Sequence, residues 1–340
     1  MIKKIKLKNF RLFDNIEFDT NNSFIIFSGK NAHGKTSIIE SIYIASTTKS
    51  HRDNDLRNVI KFNEDFATIE IEDDKKYKVV ISKEKKKLFI NNAEIKKAGD
   101  YLGGFNSIMI SPIDIELIRG AKGDKRRFLD LNISMLNKKY LNQSSKYKKT
   151  LGERNILLKE KNIDDKLLNI LTDELCESIK YIYDSRIYFI DKLNYYLVDI
   201  CKNMKIENIK LVYEPSYNPD NLKKSFEDKK SSDIRYQITQ IGTHRDSFKI
   251  LIDNLDASIY ASEGQSRIIY IVVKLALCNF IKELNSDPIL LLDDIYQALD
   301  KERIEALTGY LKGMKQVFIT TTSILEISDE LLKNALVLRI

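Results

Sequence analysis

The chain has 340 residues, with 56 Lys and Arg against 49 Asp and Glu, and only three cysteines. That length supports a large core, either one domain with an added lobe or two domains, and 43% apolar with 31% charged residues describes a soluble globular protein. No apolar run reads as a membrane span, the lysine-rich start is a strand and not a signal peptide, and Cys176, Cys201 and Cys278 lack metal-ligand spacing. Membrane and secreted classes are thereby set aside, and a reduced, cytoplasmic setting is expected. The net charge of +7 agrees with an anionic partner, although lysine-rich compositions are common.

In chain order, residues 2–8 alternate Ile and Lys as a half-buried strand, and Ile16 to Phe18 is its hairpin partner. Phe24 to Phe27 is a short apolar run that reads as a buried strand. It opens into Gly29-Lys-Asn-Ala-His-Gly-Lys-Thr36, followed by the helical spacing of Ile38, Ile39, Ile42 and Tyr43. Strand, glycine loop and helix are the context in which G-x-x-x-x-G-K-T is a phosphate-binding loop rather than a chance turn. The glycines let backbone N–H groups converge on phosphate oxygens, and the following helix adds its positive end. Gly29, Lys30, Asn31, Ala32, His33, Gly34, Lys35, Thr36 and Ser37 are therefore candidate ATP-binding residues. Lys35 is assigned to the β- and γ-phosphates and Thr36 to Mg²⁺.

Lys49-Ser-His-Arg52 follows the first helix; Arg52 faces either the nucleotide or solvent. Strands are expected at Ala67–Glu72, Tyr77–Ser82, Lys87–Ile90 and 105–111. Residues 75–97 carry nine Lys against two Glu, either a solvated edge that resists aggregation or a DNA-facing surface. From Phe128 to Met204 there is no proline. Leu168 to Ile200 keeps three-and-four spacing broken only by Arg186, one helix of roughly 60 Å, preceded by a helix over Arg126–Leu158. Residues 138–161 hold eight basic residues against two Glu, a solvated helix face or a surface for DNA phosphates. Glu214 to Pro219 ends this lobe. A helical linker near 220–240 follows, then strands near Phe248–Ile252 and Ala257–Tyr260.

Pro288-Ile-Leu-Leu-Leu-Asp-Asp294 is an apolar strand ending in two acids, the Walker B pattern. Asp293 is assigned to the Mg²⁺ shell and Asp294 to the attacking water. Ser262-Glu-Gly-Gln265 precedes a long apolar helix to Leu284 and makes a second anion-binding helix start, or else an ordinary serine cap. Ser262, Gly264 and Gln265 match the place of the ABC-type signature, which faces the γ-phosphate held by the other subunit. Asp300 then resembles the D-loop acid. Val317 to Thr322 looks like the last core strand, with Thr321 or Thr322 where transporter ATPases carry a switch histidine.

Taken together the chain resembles the RecF family, relatives of the Rad50 and SMC heads. The motifs are Leu7-x-Asn9-Phe10-Arg11, the glycine loop, Lys49-Ser-His-Arg52, Ser111-Pro-x-Asp114, Arg126-Arg-Phe-Leu-Asp130, His244-Arg-Asp246, Ser262-Glu-Gly-Gln265, Leu290-Leu-Leu-Asp-Asp294 and Phe318-Ile-Thr-Thr321. Two departures stand out: His33 where the family loop usually has Gln, and Gln297-Ala298 in place of Ser-Glu in the D-loop. The resemblance implies an α/β, ABC-type P-loop ATPase head with mixed sheets and an inserted helical lobe. Its parts would be residues 1–125 with Walker A, a lobe at 126–235, and 236–340 with the signature and Walker B. It further implies a weak, DNA-stimulated ATPase using ATP and Mg²⁺, an ATP-dependent homodimer, and binding to double-stranded and gapped single-stranded DNA. RecR and RecO are the implied partners in loading a recombinase, with no membrane. Catalytic residues would be Asp294, Lys35 and Ser262.

The alternative is an ABC-type ATPase subunit powering a transport or nuclease partner. The missing switch histidine argues against a transporter, and helices too short for a long coiled coil argue against a Rad50-type nuclease head. His244-Arg-Asp246 is not a kinase loop, because no Asp-Phe-Gly follows. It is read as a strand-edge turn with Arg245 paired to an acid, or else as a direct contact to DNA or nucleotide. Arg126 and Arg127 are assigned to a lobe interface or DNA.

Overall fold

The computed structural model describes residues 1–296 and 299–340 and divides into two compact units: Met1–Ile115 with Asp199–Ile206 and Ser262–Ile340, and Glu116–Val198 with Glu207–Ala261. Both units are thus discontinuous in sequence. The second starts ten residues before the boundary expected at 126 and runs past 235 to Ala261, because its sheet is built from strands on both sides of that point.

The first unit opens with β1 (Lys4–Phe10) and β2 (Phe13–Asp19), an antiparallel hairpin. Ile5 and Leu7 of β1 are buried beneath a solvent-side row of lysines, the alternation a half-buried strand requires. Next come β3 (Phe24–Ser28) and helix α1 (Lys35–Thr47). Strands β4 (Phe66–Glu72), β5 (Lys76–Ser82), β6 (Lys86–Ile90) and β7 (Ala93–Ile95) extend the hairpin into a six-stranded antiparallel sheet, order β2-β1-β4-β5-β6-β7. Strand β8 (Ser107–Ile110) leaves it for the second sheet.

The second unit contains α2 (Lys122–Leu136), α3 (Lys138–Leu157) and α4 (Asp165–Asn203). The single helix expected over 126–158 is two, broken at Asn137, whose backbone is extended (φ −140°) and whose side chain accepts from Tyr140 N–H to start the next helix. Helix α4 is continuous for 39 residues, about 58 Å, and its final residues from Asp199 belong to the first unit. Strand β9 (Ile209–Glu214), which the sequence reading passed over, pairs with β10 (Ser247–Ile252), and β11 (Leu255–Asp256) completes a three-stranded sheet. Helix α5 (Leu222–Tyr236) lies between β9 and β10 in the chain. Ala257–Tyr260 is one helical turn and not a strand, because Asp256 caps it through Ser258 N–H.

The chain re-enters the first unit with α6 (Glu263–Glu283), β12 (Ile289–Asp293), α7 (Lys301–Leu311), β13 (Val317–Thr321) and β14 (Ala335–Arg339). The second sheet is wholly parallel, order β14-β3-β13-β12-β8. β13 is therefore not the last strand; β14 follows it and covers the edge of β3. Helix α1 packs on both sheets, touching β8, β12 and β13 as well as β4 and β5. Helix α6 has the length and hydropathy of a membrane span, but most of it is buried, the pattern of a core helix.

The helical unit hides two arginines. Arg186, which interrupts the apolar spacing of α4, donates to Tyr140, Tyr213, the Thr243 carbonyl and Asp130. Arg154 donates to Asp233 at 2.8 Å and to Thr239 at 2.7 Å, with both charged side chains almost fully buried. Arg154→Ala strands the Asp233 charge and should cost about 3–5 kcal/mol in urea unfolding. Lys229→Ala, on the exposed surface, should stay within about 0.5 kcal/mol of the parent.

Candidate nucleotide-binding site

The loop after β3 is shaped by close backbone packing. Ile340 N–H donates to the Ser28 carbonyl, and a Cβ on Gly29 would stand 2.3 Å from the Ile340 oxygen. Ala32 (φ 67°) and Gly34 (φ 95°) take left-handed backbone, and a Cβ on Gly34 would meet the Phe13 ring at 2.5 Å. Left-handed residues in such a loop turn N–H groups to one side and form an anion-binding concavity. No side chain caps α1, so its first N–H groups are left for a ligand. Lys30, Asn31, Ala32 and His33 form the exposed rim, with His33 Nδ1 3.3 Å from the Ile340 oxygen. Lys35 is buried, and its Nζ donates to the carbonyls of Gly29 (2.8 Å) and Lys30 (2.9 Å), which holds the ammonium inside the loop. Ser37 is buried in the first turn of α1.

Thr36 Oγ1 donates to Asp293 Oδ1 at 2.9 Å, joining two motifs 257 positions apart. Thr320, at the end of β13, donates to the same oxygen at 2.7 Å. Thr321, which with Thr322 stands at the position expected for a switch histidine, bonds Glu326 (3.1 Å) and the Ser323 carbonyl (2.9 Å). The run of three threonines was the available signal, and strand register decides which one meets Asp293. Asp294 sits in left-handed backbone (φ 50°), held by its N–H on Thr320 Oγ1 at 3.1 Å. Its Oδ1 is buried with no hydrogen-bond partner among the described residues. Burial pushes the Asp293 carboxyl up, against the bonds from Thr320 and Thr36. Burial also pushes Asp294 up, partly offset by the Lys35 charge.

Behind α1, fully buried Glu40 receives a two-pronged bond from Arg11 (2.8 and 3.0 Å) and a bond from Ser50 Oγ (2.5 Å). Arg52, 3.9 Å from Glu40, is half exposed. His51 lies edge-on to Tyr43 with both ring nitrogens buried and without a hydrogen-bond partner among the described residues, and burial lowers its pKa. Asp114 accepts from Ser111 N–H and pairs with Lys274 of α6 at 2.9 Å.

Ser262 caps α6 in a reciprocal box: its Oγ accepts from Gln265 N–H (3.2 Å), and Gln265 Oε1 accepts from Ser262 N–H (2.9 Å). Ser262 and Gly264 are exposed, and a Cβ on Gly264 would meet nothing within 4 Å. Asp300 caps α7 through Arg303 N–H. Gln297 and Ala298 lie outside the described residues.

The two lysine-rich runs are partly consumed by their own neighbours. Lys76 and Lys78 both pair with Glu70, Lys83 with Asp65, and Lys86 donates to the Thr48 carbonyl. In 138–161, Lys146 pairs with Glu177, Lys149 with Glu153, and Lys139 lies over the Tyr181 ring. The His244-Arg-Asp246 turn differs from expectation. Asp246, not Arg245, is the paired residue, buried and accepting from Tyr213 OH (2.5 Å) and Ser216 N–H (2.8 Å). Arg245 is exposed and makes no ion pair among the described residues.

A phosphate-type glycine loop bridged through Thr36 to the acid at the end of β12, on mixed sheets, defines an ABC-type ATPase head. The family model "RecF/RecN/SMC N terminal domain" matches residues 1–334. The DNA replication and repair protein RecF of Acholeplasma laidlawii is 40% identical over 325 residues, 94% of this chain and 93% of that protein. The solved structure of the recombination mediator protein RecF-ATP in the RecFOR pathway superposes with a TM-score of 0.90 at 30% identity, covering 96% of this chain and 93% of that one. The Smc head bound to the C-winged helix domain of ScpA shares the fold at 14% identity (TM-score 0.55, 99% of this chain and 93% of that one). The chain belongs to the RecF family.

A buried carboxylate with a raised pKa binds its proton more tightly when folded than when unfolded. Stability is therefore fullest below the ordinary aspartate pKa and is lost as pH rises through the folded value. Asn at position 293 can accept from both threonines without a charge. Asp293→Asn should raise the melting temperature of the nucleotide-free protein near neutral pH by about 2 °C or more, with the gain vanishing at about pH 4 and below. Thermal melts across pH measure it.

Proposed function

We propose that the chain is an ATP-dependent DNA-binding protein of recombinational repair and replication. It binds ATP and Mg²⁺, dimerises on ATP, engages DNA at gaps and assists the loading of a recombinase on single-stranded DNA. RecR and RecO are its expected partners, in the cytoplasm. The Thr36–Asp293 bond carries this reading, because it brings a phosphate-binding loop and a carboxylate pair into one site. The names of the relatives, a DNA replication and repair protein and a recombination mediator with ATP, support the pathway.

The residues divide the work. The N–H groups of Gly29 to Thr36 hold phosphate oxygens, and Lys35 exchanges the Gly29 and Lys30 carbonyls for the β- and γ-phosphates. Thr36 and Asp293 fit Mg²⁺, which favours hard oxygen donors, few protein ligands and the remainder from phosphate and water. When bound, that ion supplies neutralisation of phosphate charge. Asp294 is the acceptor for the proton of the attacking water. Its Oδ1 has no competing donor, and its raised pKa brings it nearer the range of an effective base. Ser262, Gly264 and Gln265 complete the site from a second subunit, head to tail across a twofold axis. Loss of the γ-phosphate on hydrolysis then releases the dimer, and ATP times residence on DNA.

Lys35→Ala should abolish binding of labelled ATP; undiminished binding would remove the loop assignment. Asp294→Asn should keep ATP binding and the ATP dimer while turnover falls by about 100-fold or more. Ser262→Arg should bind ATP as a monomer yet neither dimerise nor hydrolyse. Mixed with Lys35→Ala it should regain part of the activity, since a mixed dimer has one site with both lesions and one with neither. Size exclusion and phosphate release report both; normal dimerisation and turnover by Ser262→Arg alone contradict the shared site.

A further inference from the structure

The motifs Arg126–Asp130 and His244–Asp246, which the ATP site does not use, meet inside the second unit. Asp246 is buried and Asp130 partly buried, and both face the Arg186 guanidinium. Asp130 accepts from Arg186 (2.8 Å) and Tyr140 OH (2.6 Å), and Asp246 accepts from Tyr213 OH with Arg186 3.6 Å away. Both carboxylates are thereby committed to one buried guanidinium and its tyrosines.

Their cations turn outward. Arg126, half-buried, donates to the Asp246 carbonyl at 2.9 Å and has no carboxylate within ion-pair distance among the described residues. Arg245, next to Asp246 in the chain, and Lys148, on α3 beside Tyr147, are exposed and likewise form no ion pair among the described residues. Tyr147 OH bonds His244 Nδ1 (2.5 Å) and His244 Nε2 lies 3.0 Å from the Thr239 carbonyl, which pins this turn against α3. Burial holds the His244 pKa down to about 4, so the ring adds no charge. Four cations, Arg126, Lys148, Arg186 and Arg245, thus stand around two carboxylates, Asp130 and Asp246. Burial disfavours the Arg126 charge, the like charges of Arg186 and Arg245 add to this while Asp130 and Asp246 oppose it, and Lys148 acts on Asp130.

Cations held together in excess of their counter-ions are unfavourable, and a multiply charged anion relieves them. From this we infer that Arg126, Lys148 and Arg245 form a seat for consecutive phosphates of duplex DNA, backed by the buried Arg186 cluster. The inference rests on the DNA-binding reading above and assigns it a place. Lys76, Lys78 and Lys83 of the first lysine-rich run are neutralised by adjacent acids, whereas here Asp130 and Asp246 are engaged by Arg186. Arg126 and the 244–246 turn are fixed by main-chain and ring hydrogen bonds, which suits guanidinium recognition of phosphate. The contacts address the backbone, so the seat confers no base preference.

The test measures binding of a fluorescein-labelled duplex to the full chain with ATP over a salt series. Arg245→Gln with Lys148→Gln changes exposed side chains only, and its melting temperature and DNA-free ATP turnover should match the parent. Its affinity should fall about tenfold or more, with the slope of log K against log salt shallower by about two. Arg126→Gln should act in the same direction. The same neutralisation at exposed Lys159 and Lys161 should cost less than about threefold. Parent-like affinity and slope in the Arg245/Lys148 variant, or an equal loss in the Lys159/Lys161 control, overturns the seat while leaving DNA binding standing. Absence of duplex binding by the parent overturns the DNA reading and the seat together.

Discussion

Thr36 and Thr320 give their hydroxyl protons to the same oxygen of Asp293, and the catalytic end of the sheet is organised by that shared acceptor. Parallel register makes it possible. β13 lies between β3 and β12, with Thr320 opposite Phe27 on one side and Asp293 on the other. A slip of one residue would turn Thr320 to the opposite face and replace it by Ile319 or Thr321. The apolar interior of the same strands, Ile25 to Phe27, Leu290 to Leu292 and Phe318 to Ile319, fixes that register because all are buried. Packing of the sheet and placement of the acid are thus one constraint. Its cost is a buried Asp293 and a partly buried Asp294, both with raised pKa values, and a left-handed backbone at Asp294, the kind of local strain that active sites hold against a well-packed scaffold.

Contiguous chemistry was legible in the sequence. The glycine loop, the Walker B strand and the serine start of α6 each declare themselves within eight residues, and the strand-loop-helix context of the first is local too. Chemistry assembled across the chain was not. Thr320 needs the register of β13, and the Arg11–Glu40 pair needs the hairpin turn brought to α1. Arg186 was visible as a flaw in the spacing of α4, but its partners come from α2, α3, β9 and the loop before β10. Helix limits failed where capping competed with continuity: Asn137 satisfies the next helix with its side chain and so ends the previous one. Ala257–Tyr260 looked like a strand because its residues are apolar on alternate positions, yet Asp256 supplies a helix cap.

Charge counted by segment leaves a solvated edge and a DNA-facing surface both open, for a physical reason. Nine lysines between 75 and 97 look like a surface for nucleic acid, but Glu70 lies on the neighbouring strand and accepts from two of them. What matters is charge left over after folding. In the second unit Asp130, Asp233 and Asp246 are engaged by Arg186 and Arg154, and Lys148 and Arg245 are left at the surface without an ion pair among the described residues. A modest net charge of +7 can therefore coexist with a concentrated positive site.

The two helix starts of the first unit are built differently, and the difference bears on the division of labour between them. α1 begins without a side-chain cap, so its N–H groups and the Lys35 ammonium are available once the loop carbonyls release the latter. α6 begins with a closed box in which Ser262 accepts from Gln265 N–H. A hydroxyl that accepts one bond still has its proton, and Ser262 O–H donates to nothing among the described residues. It is exposed, fixed in direction by the bond it accepts, and set at the positive end of a 21-residue helix. A phosphate oxygen arriving there would meet an oriented donor without disturbing the cap. α1 thus leaves several main-chain donors open at once, whereas α6 offers one oriented hydroxyl beside a closed cap.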